Sequence, residues 1–197
     1  MNRYGRVMVR QLFVLFLSLL FSVSSYAYSY AAAGKEPVIE GREAILQALT
    51  IPDYAAVSAS VAGLNDEFTY LKNEHQVDLL TPMLEAIDNK DAEKIETLMD
   101  SAVVEEIIRR LDGAEKNLDD YQVAKVLVVK SKLFLDLLAP KMNGSQRQEA
   151  TQATQAIQGA LASIGNPGVF GVGKAPADPA EFSKQKALLL NAIRDFK

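Results

Sequence analysis

Residues 121–138 read YQVAKVLVVKSKLFLDLL. Twelve of these 18 residues are apolar. Wound as a helix, the polar residues Gln122, Lys125, Lys132 and Asp136 fall on one narrow stripe. The β-branched run Val126, Val128, Val129 invites a strand, but the length of the segment and its single polar stripe favour a helix. Lys132 and Asp136 stand four residues apart and can pair, and Pro140 ends the segment. Because most of its circumference is apolar, the segment is expected at the centre of an all-α bundle.

The flanking sequence supports the same fold class. Upstream, Tyr54, Val57, Val61, Leu64, Phe68 and Leu71 are spaced 3-4-3-4-3, the seam of a helix packed at a shallow angle on its partners. Asp53 is placed to cap it, and a short helix over Arg42–Leu49 precedes it after a proline-containing lead. Val77, Leu80, Leu84 and Ile87 continue the helical spacing, with Pro82 in a first turn or at a kink. Asp91 caps a helix that buries Ile95, Leu98 and Met99. A restart at Asp100-Ser101 leads into Val104, Ile107, Ile108 and Leu111, and Asp112-Gly113 supplies a stop. Downstream, Ser145 and Gln148 suggest a capping box for a helix to Ile164 with Ala150, Ala153, Ile157, Ala160, Leu161 and Ile164 inward and glutamines outward. Asp178, Pro179 and Glu181 open a final helix with Phe182, Leu189, Leu190, Ile193 and Phe196 facing in. No segment reads convincingly as a strand, and no fixed-period repeat recurs. The expectation is a single-domain irregular helical bundle of five to seven helices, with a short stack of αα-hairpins as the alternative.

Residues 1–33 differ in composition from the rest. Arg3, Arg6 and Arg10 precede the apolar run Leu12–Val23, and small residues then occupy the −3 and −1 places of cuts after Ala27, Ala31 or Ala33. This is the pattern of a secretory signal peptide, with cleavage expected near Ala31 or Ala33. The apolar run is shorter than the roughly 20 residues needed to span a bilayer. Residues 34–197 would then form the domain, with all 25 acidic and 18 of the 21 basic residues, a net charge near −7. A cysteine-free exported domain points to a bacterial periplasm or secretion from a bacterium.

Composition narrows the chemistry. A sequence pI of 5.1 and the lack of a basic run argue against nucleic acid as a partner. Without cysteine there is no thiolate nucleophile and no Cys-ligated metal, and a lone His75 rules out a multi-histidine metal site. An axial haem role for His75 with Met83, Met99 or Met142 has no supporting spacing or attachment motif, so no cofactor is expected. The stretch Gly168–Ala175, GVFGVGKA, approaches a phosphate-binding loop. Ala175 replaces the metal-binding hydroxyl, Pro176 blocks a following helix, and a helix rather than a strand precedes, so nucleotide is not an expected ligand. The acidic pairs Glu105-Glu106 and Asp119-Asp120 read as solvated helix ends and first-turn charge. An enzyme has the least support.

Two features suggest binding. The Gly/Pro-rich loop 165–179 carries Val169, Phe170 and Val172, which form either a plug for one end of the bundle or a lid. Lys130 stands away from the polar stripe, flanked by Val129 and Leu133, where it snorkels, meets a carboxylate, or orients an acidic headgroup. The expected function is a non-catalytic binding protein holding an apolar or lipid-like small molecule between helices. Phe68, Lys130, Phe134, Val169, Phe170 and Val172 are its candidate ligand-facing residues. The alternative is an adaptor or accessory subunit that takes an envelope protein partner.

Overall fold

The computed structural model describes Gly34 and residues 36–142, 144–168 and 172–196. The expected leader over residues 1–33, with its cleavage sites, lies outside the described residues. Contacts divide the chain after Glu36, and Pro37–Lys197 is the unit considered below. Its described residues form eight α-helices and no strand, one helix more than the five to seven expected: α1 Pro37–Thr50, α2 Tyr54–Ala62, α3 Asn65–His75, α4 Leu80–Asp88, α5 Ala92–Lys116, α6 Tyr121–Leu138, α7 Arg147–Ser163 and α8 Pro179–Ala192. Single 3-10 turns follow α6, precede α7 and follow α8.

Local chemistry accounts for most of the boundaries. Asp53, Asp91 and Asp178 cap α2, α5 and α8 as expected, each carboxylate accepting one first-turn amide at 2.9–3.0 Å. Asp120 does the same for α6, accepting from the amides of Gln122 and Val123. α1 begins at Pro37 rather than Arg42, since a proline in the first turn needs no amide partner and has its φ preset. The seam 54–71 is not one helix: the chain breaks at Gly63-Leu64, yet Val57, Val61, Leu64, Phe68 and Leu71 all stay buried. Leu161, expected inward on the helix to Ile164, is 37% exposed. α7 begins at Arg147, with Gln146 rather than Ser145 at its cap position and no side-chain hydrogen bond from that cap. The second expected box is also open on one side, because the Glu181 carboxylate holds Lys184 and Gln185 instead.

The expected stops inside residues 92–116 do not stop the helix. The Ser101 hydroxyl donates to the Thr97 carbonyl one turn back, and the Asp100 carboxylate binds Arg42 and Lys141 rather than capping. Gly113 lies within α5, where a Cβ would stand 3.3 Å from the Leu127 side chain of α6. Its missing side chain therefore lets the two helices close. α5 ends at Asn117, whose side-chain amide donates to the Gly113 carbonyl.

The centre of the bundle is α5, not α6. Every residue from Leu98 to Ile107 is buried, so α5 is enclosed on all sides over that stretch. It packs against α1, α4, α6, α8 and the final 3-10 turn. α6 buries Ala124, Val128, Ser131, Phe134, Leu135 and Leu138 and leaves its opposite face outside. Hydropathy ranks α6 above α5 because it counts apolar side chains and is blind to pairing. Enclosing α5 means enclosing Asp100, Ser101, Glu105, Glu106 and Arg110 as well. Burial of such groups is tolerable only where charges and hydrogen bonds are matched.

Candidate functional site

The densest side-chain chemistry lies where α3, α5 and α6 meet. Glu106 sits on α5 and is 3% exposed. It accepts from Arg109 through both oxygens, Nε to Oε1 at 3.0 Å and Nη2 to Oε2 at 2.8 Å, and it also pairs closely with Nη1 of Arg110. The Arg110 guanidinium lies 4.3 Å from the ring centre of Phe134 on α6, a cation–π distance. Arg109 reaches the other way, 5.4 Å from the Tyr70 ring of α3, and the Tyr70 ring stands 5.5 Å from that of His75. Burial pushes the Glu106 pKa up, but the Arg110 charge and the Arg109 hydrogen bond outweigh it and hold the carboxyl below its usual range. Two guanidinium groups thus share one carboxylate that has little exposure to water. That arrangement fastens helices together and positions aromatic rings; it does not leave a carboxylate poised for proton transfer.

Glu105 and Glu106 were expected on a solvated helix end. They lie in mid-helix at 3% exposure each, and for Glu106 the charge is met at i+3 and i+4 by Arg109 and Arg110. The spacing E-x-x-R-R was the available signal. A second buried tie joins α1 to α5, where Asp100 accepts from Arg42 at 3.0 Å and from Lys141 at 2.5 Å. A third joins α5 to α8, where Lys186 reaches Asp112 at 2.5 Å and Glu115 at 2.6 Å.

The expected ligand-facing residues do not share one surface. Phe68 on α3 and Phe134 on α6 are 1% and 0% exposed and belong to the core. Lys130 is half-buried, one turn before Phe134 on α6. Val172 is 79% exposed. Val169 and Phe170 lie outside the described residues. The base of their loop is closed by Asn166 and Ala175, which exchange two backbone hydrogen bonds at 2.9 Å. The left-handed φ of +80° at Gly165 suits a residue without Cβ, which would otherwise meet the Ala175 carbonyl at 2.6 Å. His75 is the last residue of α3, and Gln76 closes the helix at φ +59°. The methionines weighed as haem ligands, Met83, Met99 and Met142, are buried in the core. Among the described residues no three His, Asp or Glu side chains gather as metal ligands would.

A different surface stands out. Along the outer face of α6, Val126, Val129 and Leu133 are 39%, 42% and 47% exposed. Gln122, Val126, Val129, Leu133 and Asp136 follow one another at 4-3-4-3 spacing, a straight ridge one helix could follow. Lys125 and Lys132 are exposed along one edge of it, Lys125 over the Tyr121 ring and Lys132 paired to Asp136 at 2.7 Å, the i,i+4 pair expected. Sequence reading missed this surface because it assigned these same residues to the core.

The fold and its surfaces define an all-α helical bundle built around a charged central helix. No protein-family model, curated protein or solved structure matches the chain.

Proposed function

We propose that this protein is an exported, non-catalytic adaptor whose α6 outer face takes a partner protein. The supporting observation is the exposed ridge of Val126, Val129 and Leu133 on a helix whose opposite face is anchored in the core. A bundle that places three large aliphatic side chains in a row half in water forgoes about 1 kcal/mol at each. A partner helix seated on the ridge would recover that. A ligand held between helices, the reading first expected, would have to part side chains such as Phe68 and Phe134, which are closed off from solvent. The adaptor reading needs no such opening.

A photo-crosslinking residue placed at Val129, compared with one at Gln155 on the outer face of α7, tests the proposal in cells. A discrete protein adduct at position 129 and none at 155 is the expected result. An extractable bound lipid with no adduct at 129 would reject the adaptor and restore the lipid-like ligand.

A further inference from the structure

The α6 ridge also carries information about the partner's chemistry. The exposed charges of α6 are two lysines, Lys125 and Lys132, and one acid, Asp136, in a chain whose overall charge is −4. The exposed Lys125 and Lys132 stand seven residues apart along one edge of the ridge, two turns or about 10 Å of helix; Lys132 holds Asp136 at 2.7 Å, a solvent-exposed i,i+4 pair whose ammonium a partner carboxylate can share. We infer that the α6 ridge docks an amphipathic helix of another protein whose apolar seam is bordered by carboxylates one heptad apart, meeting Lys125 and Lys132. This deepens the adaptor reading and rests on it.

A second copy of this chain is the wrong occupant. In an antiparallel α6–α6 pair the Lys125 edge of one helix lies along the Lys132 edge of the other, so like charges meet. In a parallel pair the same lysines face Val123, Lys130 and Leu137, which offer no carboxylate. A membrane surface fits less well. The ridge side chains are more than half covered by their own bundle, too shallow for burial 5–10 Å into a bilayer, roughly the depth of interfacial helices. The negative charge of the whole chain opposes any acidic partner at long range. Beyond about 8–10 Å that repulsion is screened at physiological salt, and the local lysines decide the contact.

The test uses the protein purified in its exported form and two fluorescent synthetic helices of about 20 residues with the same leucine seam. One carries Glu, the other Lys, at the edge positions one heptad apart. Binding is followed by anisotropy, with co-sedimentation on vesicles of equal phosphatidylglycerol and phosphatidylcholine in parallel. The Glu-edged helix should bind at least about tenfold more tightly than the Lys-edged one, with a gap that narrows in high salt. The double variant Lys125→Glu, Lys132→Glu, checked for unchanged helicity, should reverse that order. Equal binding of both helices, both lost on Leu133→Asp, would overturn the acidic-edge inference and leave the adaptor reading standing. Failure of both helices to bind, insensitivity to Leu133→Asp, or binding to vesicles alone would overturn both.

Discussion

Glu106→Gln probes the centre of the bundle most directly. The glutamine keeps the size of the side chain and one acceptor oxygen but removes the charge. Arg110, 6% exposed and held over Phe134, would then lose the Glu106 charge that it closely faces. Breaking one side of a buried pair costs about 3–5 kcal/mol, because the remaining charge stays desolvated after losing a close countercharge. Arg109 adds little to that figure: its side chain is 30% exposed and can turn to water. For a domain of this size the loss corresponds to a drop in Tm of about 6–20 °C. Urea and thermal unfolding of the wild type, Glu106→Gln, Arg110→Met and the pair Glu106→Leu, Arg110→Met, followed by far-UV circular dichroism, would read it. The double replacement should recover most of the stability, since it leaves neither charge buried. A Glu106→Gln loss under about 1 kcal/mol, or a double variant no better than the sum of the single changes, would refute the claim that this pair is enclosed.

Further outcomes follow from the same structure. Glu106, Glu115 and Asp78 all have lowered pKa values, Asp78 to about 2 chiefly through the Lys72 hydrogen bond. A carboxylate with a depressed folded pKa adds stability above its unfolded value, so urea midpoints should hold at neutral pH and fall as pH drops below about 4.5. Lys186 moves the other way: burial lowers its pKa, but hydrogen bonds from its ammonium to Asp112 and Glu115 outweigh that and raise it above 10.5. Its contribution should therefore persist to alkaline pH and be lost only above that value, and Lys186→Met should flatten the alkaline limb of a stability–pH profile. Asp100→Asn strands the Arg42 guanidinium, whose side chain is 10% exposed, and should cost about 3 kcal/mol in chemical denaturation. Asp91→Ala removes the cap on the Lys94 amide and should cost about 1 kcal/mol by the same measurement.

Helix positions were legible in the sequence where local chemistry sets them. The aspartates at 53, 91 and 178 cap because a carboxylate beside unpaired first-turn amides needs nothing from the rest of the fold. The 3-4 spacing of Val57, Val61, Leu64, Phe68 and Leu71 marks a buried face even across the break at Gly63, because short helices keep their apolar stripes inward. The restart proposed at Asp100-Ser101 was the reverse case. Both residues have capping chemistry, but partners 58 and 41 residues away engage Asp100, and only the fold brings those partners close. The candidate docking surface lies on the helix that carries Lys130 and Phe134, with the core residue Phe134 outside it. Lys130 and Phe134 drew attention as ligand groups, while the exposed row is Val126, Val129 and Leu133.

Local periodicity and end-capping chemistry were enough to establish an all-α chain, since an apolar stripe and an unpaired turn of amides are properties of a few neighbouring residues. Which helix lies at the middle was decided by tertiary structure. α5 can be enclosed only because Arg42 and Lys141, from other elements, neutralise Asp100, while Arg109 and Arg110 meet Glu106 within it. Once α5 fills the centre, α6 has one neighbour-facing side, and its remaining valines and leucine are left in water. A residue's apolarity favours burial, but whether it is buried depends on the packing around it.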